Sequence, residues 1–184
     1  MNSIPTLITW GRIALIPVFV LCFFLPVSWS NEATVIIFLL AAITDWLDGY
    51  LARVLNQSSK FGAFLDPVAD KLMVAVALVL IVHENPSPWI AVAAAIIIGR
   101  EIAVSSLREW MAEIGERASV AVSAVGKIKT TAQMLSILML LYHEPFKEFS
   151  IYETGMALLY VAAFLTLWSM ALYLKAAWPS FRDS

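Results

Sequence analysis

Six apolar stretches separated by short polar breaks run almost end to end through the sequence, and they constrain the fold more than any other feature. They cover about 13–27, 33–55, 67–82, 88–111, 122–142 and 151–174. A bilayer-spanning helix needs about 20 mostly apolar residues, so each stretch has the length of one crossing. Hydrophobic residues make up 61% of the 184-residue chain, whereas 12 basic and 14 acidic side chains could barely coat a soluble domain of this size. The hydrophobicity also excludes disorder. A disulfide scaffold is excluded because Cys22 is the only cysteine, and a formal net charge of −2 argues against a nucleic-acid partner. The expectation is an all-α polytopic membrane protein with six transmembrane helices. A short polar-flanked segment, 2–12, is expected to lie along the interface ahead of the first one. No small-residue cleavage site follows the first apolar run, so it reads as a retained helix. No repeat or linker interrupts the chain, which reads as one domain over 1–184.

Orientation follows from the cations. Arg12, Arg53, Lys60, Arg108, Arg117, Lys127, Lys129, Lys175 and Arg182 fall on one side, against Lys147 on the other. Cytoplasmic loops carry the excess of Lys and Arg, so both termini and the breaks after the second and fourth stretches are expected in the cytoplasm. The opposite breaks hold Glu32, Glu84, Glu144 and Glu148 with His83 and His143. Trp29, Trp89 and Trp178 near the stretch ends suit interfacial anchoring.

Four aspartates break the apolar pattern. Asp45, Asp48, Gly49 and Ala52 stand at i, i+3, i+4 and i+7, one face of a helix. Asp66 and Asp70 are four apart at the expected start of the next helix, where Pro67 suits a first turn and Asp66 its cap. A break of about ten residues would make the two helices antiparallel neighbours with facing acidic sides. Unpaired charges there are costly. The carboxylates must be protonated, paired with Arg53, Lys60 and Lys71 as a polar seam, or gathered around a metal. All-oxygen ligation suits Mg²⁺ or Mn²⁺. The small residues Gly49, Ala52, Gly62 and Ala63 would let a substrate approach the backbone.

The run Asp45-Trp-Leu-Asp48-Gly49-Tyr-Leu-Ala52-Arg53, then eight residues, Gly62, three residues, Asp66, three residues and Asp70 resembles the signature of the CDP-alcohol phosphotransferase family at every fixed position. The resemblance extends through Ile4-Pro5-Thr6-Leu7, 61–71, Arg100-Glu101, 107–113, 127–134 and 167–170. It implies displacement of CMP from CDP-diacylglycerol by sn-glycerol 3-phosphate, giving phosphatidylglycerophosphate, with serine, inositol phosphate or phosphatidylglycerol as alternative acceptors. It further implies two divalent ions, Mg²⁺ or Mn²⁺, held by Asp45, Asp48, Asp66 and Asp70, with Asp70 as general base. Gly49, Ala52, Arg53 and Gly62 would contact the nucleotide end of the donor, and Arg53 would also neutralise the acidic cluster. The acceptor's phosphate needs cations apart from the metals, for which Arg108, Lys127, Lys129 and Arg100 are candidates, although Arg100 could instead pair with Glu101 or Glu109. A homodimer in the bacterial inner membrane, with its site facing the cytoplasm, completes the expectation. A cation-coupled carrier with a relay of intramembrane acids is the competing class. It would spread its acids through several helices rather than cluster them at the ends of two.

Overall fold

The computed structural model describes residues 4–55, 60–113, 124–142 and 150–182. These form six helices: α1 (Ile4–Phe23), α2 (Ser30–Leu55), α3 (Lys60–Glu84), α4 (Pro88–Glu113), α5 (Ala124–Tyr142) and α6 (Ile151–Arg182). The six apolar stretches each seed one helix, and several helices run beyond the stretch that predicted them. Residues 4–12, expected as a separate interfacial segment, are the first turns of α1. Helix α3 begins at Lys60, so Asp66 and Pro67 lie inside it rather than at a capped start, and only 56–59 separate it from α2. Helix α6 continues through Lys175 and Trp178 to Arg182.

The helix ends follow local chemistry. The Cys22 carbonyl at the end of α1 accepts from the Ser30 hydroxyl at 2.8 Å and from the Leu25 N–H at 3.3 Å. Pro88 occupies the first position of α4, where its missing N–H costs nothing. Ser150 and Glu153 stand at the spacing of a capping box, and the Glu153 N–H donates to the Ser150 hydroxyl at 3.3 Å.

Helix α1 packs against α2 and α3, α5 against α6 and α2, and α4 against α3 and α6. Successive helices run in opposite directions, so the N-terminal halves of α1, α3 and α5 share one end of the bundle with the C-terminal halves of α2, α4 and α6. The interior is filled by small and hydroxyl-bearing residues, among them Ala69, Ala77, Ala162, Thr9, Thr34, Ser136 and Thr166, along with Phe19, Phe38, Leu78 and Ile97. Large apolar side chains such as Leu21, Ile36, Leu40, Val79, Ile102, Phe164 and Trp168 are exposed. Water-soluble monomers rarely expose apolar surface on this scale, and small residues between helices are the packing mode of bundles in lipid. By length and composition, α4 over Pro88–Met111 and α6 over Ile151–Lys175 can cross a membrane, and Leu7–Phe23 and Ile128–Tyr142 are shorter apolar helices.

Helices α5 and α6 approach closely at Gly155. A Cβ there would stand 3.0 Å from the Met139 Cβ and 3.1 Å from the Leu140 Cγ. Its carbonyl accepts a 2.7 Å hydrogen bond from Ser136, which ties α5 to α6 where the backbones nearly touch.

Candidate active site

At the end where the aspartates lie, a cavity of about 160 Å³ opens between the helices. Its wall combines Asp45 of α2, Asp70 and Lys71 of α3, Glu101 of α4, and Lys129, Thr130 and Gln133 of α5, backed by Ala42, Val74 and Met134. The spacing that put Asp66 and Asp70 on one face predicted a converging acidic site, and Asp45 and Asp70 do converge here. A larger cavity of about 300 Å³ lies at the opposite end, beside Phe23, Ser30, Ile81 and Glu84, away from the aspartates.

Helix α1 organises the acidic cluster through Arg12, which the sequence reading counted only among the cations that set orientation. The Arg12 side chain is 1% exposed, and Nη1 donates to the Asp45 carboxylate at 2.7 Å. The Thr9 hydroxyl, three residues earlier on the same face, donates to Asp66. Helices α2 and α3 are therefore joined through α1 as well as by direct contact. Lys71, expected as an aspartate partner in a polar seam, instead donates to the Ser105 hydroxyl on α4, and Ser105 donates to the Glu101 carbonyl at 2.6 Å.

The second polar cluster centres on Glu101, whose carboxylate oxygen accepts from Lys129 Nζ at 2.8 Å and from Arg100 Nη1 at 2.9 Å. Lys129 is almost fully buried, 4% exposed, yet lines the cavity. An ammonium has three donors, so the one given to Glu101 leaves two for a ligand. Arg100 turns toward α6, reaching the Ser169 hydroxyl at 3.4 Å and lying 5.6 Å from the centre of the Tyr173 ring. Its pairing with Glu101 follows the alternative that the sequence left open, and it meets the cavity only through that carboxylate.

Gly62 is buried on α3. Asp48, Gly49, Ala52 and Arg53 lie on α2, Arg108 on α4 and Lys127 on α5, but their side chains fall outside the described residues. Among the described residues, no three Asp, Glu, His or Cys side chains form a metal-binding group. Asp45 and Asp70 on one wall nevertheless supply the oxygen donors that suit Mg²⁺ or Mn²⁺. Beside the polar cavity, an apolar groove of about 220 Å³ runs between α3 and α4 past Val68, Leu72, Ile98 and Ile102, sharing Lys71, Val74 and Glu101 with it.

Thr9, Arg12 and Gln133 are residues around this site to which the sequence reading gave no part in it. The available signal was helical spacing: Thr9 and Arg12 are three apart, and Lys129 and Gln133 four apart, each a polar pair on an otherwise apolar helix.

A family model described as CDP-alcohol phosphatidyltransferase matches residues 2–168, which covers the whole site. The chain belongs to the CDP-alcohol phosphatidyltransferase family. It is 57% identical over 181 residues to the CDP-diacylglycerol–glycerol-3-phosphate 3-phosphatidyltransferase of Escherichia coli strain K12, covering 98% of each chain. Proteins of the same name from Escherichia coli O157:H7 and Shigella flexneri serotype 5b share the same identity and coverage. In this CDP-alcohol phosphatidyltransferase, the signature aspartates Asp45 and Asp70 face one cavity with two lysines.

Proposed function

We propose that this CDP-alcohol phosphatidyltransferase transfers the phosphatidyl group of CDP-diacylglycerol to sn-glycerol 3-phosphate, forming phosphatidylglycerophosphate and CMP. The observation that carries the reading is a cavity pairing Asp45 and Asp70 with Lys71 and Lys129, in a chain similar along its length to relatives named for that reaction. Carboxylates alone would repel both anionic substrates, and cations alone would lack a base. The adjoining apolar groove suits a substrate with a hydrocarbon tail.

In this reading Asp70 accepts the proton of the acceptor's primary hydroxyl as its oxygen attacks the phosphorus bearing the diacylglycerol. The bond from that phosphorus to the bridging oxygen breaks, and CMP departs with the electron pair. A base within hydrogen-bond reach contributes typically 10²–10⁴-fold. Arg12 holds Asp45 and Thr9 holds Asp66, so these carboxylates meet the substrate in fixed orientations. Asp45, Asp48, Asp66 and Asp70 would hold two divalent ions, Mg²⁺ or Mn²⁺, which when bound neutralise the pyrophosphate. Gly49, Ala52, Arg53 and Gly62 would contact the nucleotide. Lys129, with Arg108 and Lys127, would receive the acceptor's phosphate, and Arg100 would support Lys129 through Glu101.

The proposal places six crossings in the inner membrane, with the cavity end toward the cytoplasm. The apolar exterior and the cations gathered at that end support it. Association as a homodimer follows from the family resemblance. The test supplies purified protein with CDP-diacylglycerol and one soluble alcohol at a time and measures CMP release. Release with sn-glycerol 3-phosphate but not with serine or inositol phosphate is expected; the reverse preference would overturn the proposed acceptor.

A further inference from the structure

Gln133 is a residue for which neither the family signature nor the ion pairs of the site provide a role. It lies on α5 one turn beyond Lys129, is 4% exposed, and forms part of the wall that holds Asp70 and Lys129. Its Oε1 is buried without a hydrogen-bond partner. A desolvated, unpaired amide oxygen is unfavourable in a folded protein, and buried polar groups are nearly always satisfied. The bundle offers an easy apolar solution, since the neighbouring wall positions hold Val74 and Met134. A glutamine kept at this place implies a partner that arrives with the ligand.

We propose that Gln133 hydrogen-bonds the secondary hydroxyl of the acceptor and selects for it. This rests on the proposed acceptor being sn-glycerol 3-phosphate. That molecule has three polar parts, and beside the exposed Thr130 hydroxyl the cavity holds carboxylates, lysines and one amide. The phosphate takes the spare donors of Lys129, and the primary hydroxyl gives its proton to Asp70. The secondary hydroxyl, which is neutral and both donates and accepts, matches a neutral amide that does both. The terminal torsion of glutamine is broad, so the amide can turn either end to the hydroxyl. A site built to bond a substrate hydroxyl discriminates against the analogue that lacks it, because the amide is then left unpaired.

The test compares sn-glycerol 3-phosphate with 3-hydroxypropyl phosphate, which retains the phosphate and the primary hydroxyl and lacks only the secondary one. In the unaltered protein, kcat/KM for sn-glycerol 3-phosphate should exceed that for the analogue by roughly 5- to 150-fold. In Gln133→Met, which keeps the volume and removes the amide, the ratio should fall to within about 3-fold. Most of that change should come from loss on the native acceptor. Equal use of both acceptors by the unaltered protein overturns the proposal without need of any variant. So does a Gln133→Met protein that loses activity equally on both, the outcome of a purely structural role. If neither phosphate releases CMP, the proposed acceptor itself is refuted, a result distinguishable from failure of the role given to Gln133.

Discussion

Replacing Glu101 with glutamine should destabilise the bundle far more than replacing the lysine it pairs with. Glu101 is the shared anion of two cations, Lys129 at 2.8 Å and Arg100 at 2.9 Å, and the Lys129 and Arg100 side chains are only 5% and 11% exposed. Glu101→Gln leaves two buried cations without their carboxylate. Removing one partner of a buried ion pair typically costs about 3–5 kcal/mol. The Glu101 side chain is 24% exposed, so water relieves part of the strain, and about 2–4 kcal/mol remains. Lys129→Met is different, because the Glu101–Arg100 pair survives and a similar apolar volume fills the space. Its cost should stay within about 1 kcal/mol, since the lost attraction is offset by the desolvation no longer paid. At about 2–4 °C per kcal/mol for a chain of this size, Glu101→Gln should lower Tm by roughly 4–16 °C, against about 4 °C or less for Lys129→Met. The double variant should regain more than half of the Glu101→Gln loss, because Arg100 keeps its contacts with Ser169 and Tyr173. Thermal unfolding of detergent-solubilised protein, followed by circular dichroism, measures all three. Equal losses for the two single variants, or a double variant whose loss is their sum, would refute this account of the cluster.

Gly155→Ala should destabilise by about 1–3 kcal/mol, since the new methyl meets the Met139 Cβ, which cannot rotate away, and the Ser136 bond stretches as the helices part. Gly99→Ala, with nothing within 4 Å of its Cβ, should instead be neutral or stabilising by up to about 1 kcal/mol; the same unfolding experiment separates the two signs. Excess chelator should abolish CMP release and added Mg²⁺ or Mn²⁺ restore it, and full activity in chelator would exclude the divalent ions. Asp70→Asn should retain donor binding while turnover falls by roughly 10²–10⁴-fold; equal loss of donor binding would mark Asp70 as a ligand rather than a base.

The local elements were legible because their signals are local. Hydrophobic run length marks where each helix must lie, and Pro88 and the Ser150–Glu153 pair set two of the helix starts through backbone hydrogen bonding alone. The ends of α1, α3 and α6 were misjudged for a related reason. Residues 4–12, 60–66 and 175–182 are too polar to read as membrane-spanning, yet they continue helices, since a helix needs only satisfied backbone and a place to pack.

For this chain, the sequence alone determined that six apolar helices form and that Asp45, Asp48, Asp66 and Asp70 lie in pairs on helix faces, along with the family to which that spacing belongs. Periodicity and run length are properties of consecutive residues, so they survive without knowledge of the fold. Tertiary structure decided which groups meet across it. It joined Asp45 to Arg12, sent Lys71 to Ser105, and set Lys129 and Arg100 on one carboxylate. It also left the Gln133 amide oxygen without a partner beside Asp70. Those pairings depend on the rotation and depth of each helix, which are set where small residues such as Gly155 let backbones approach, and no spacing within a single helix encodes them.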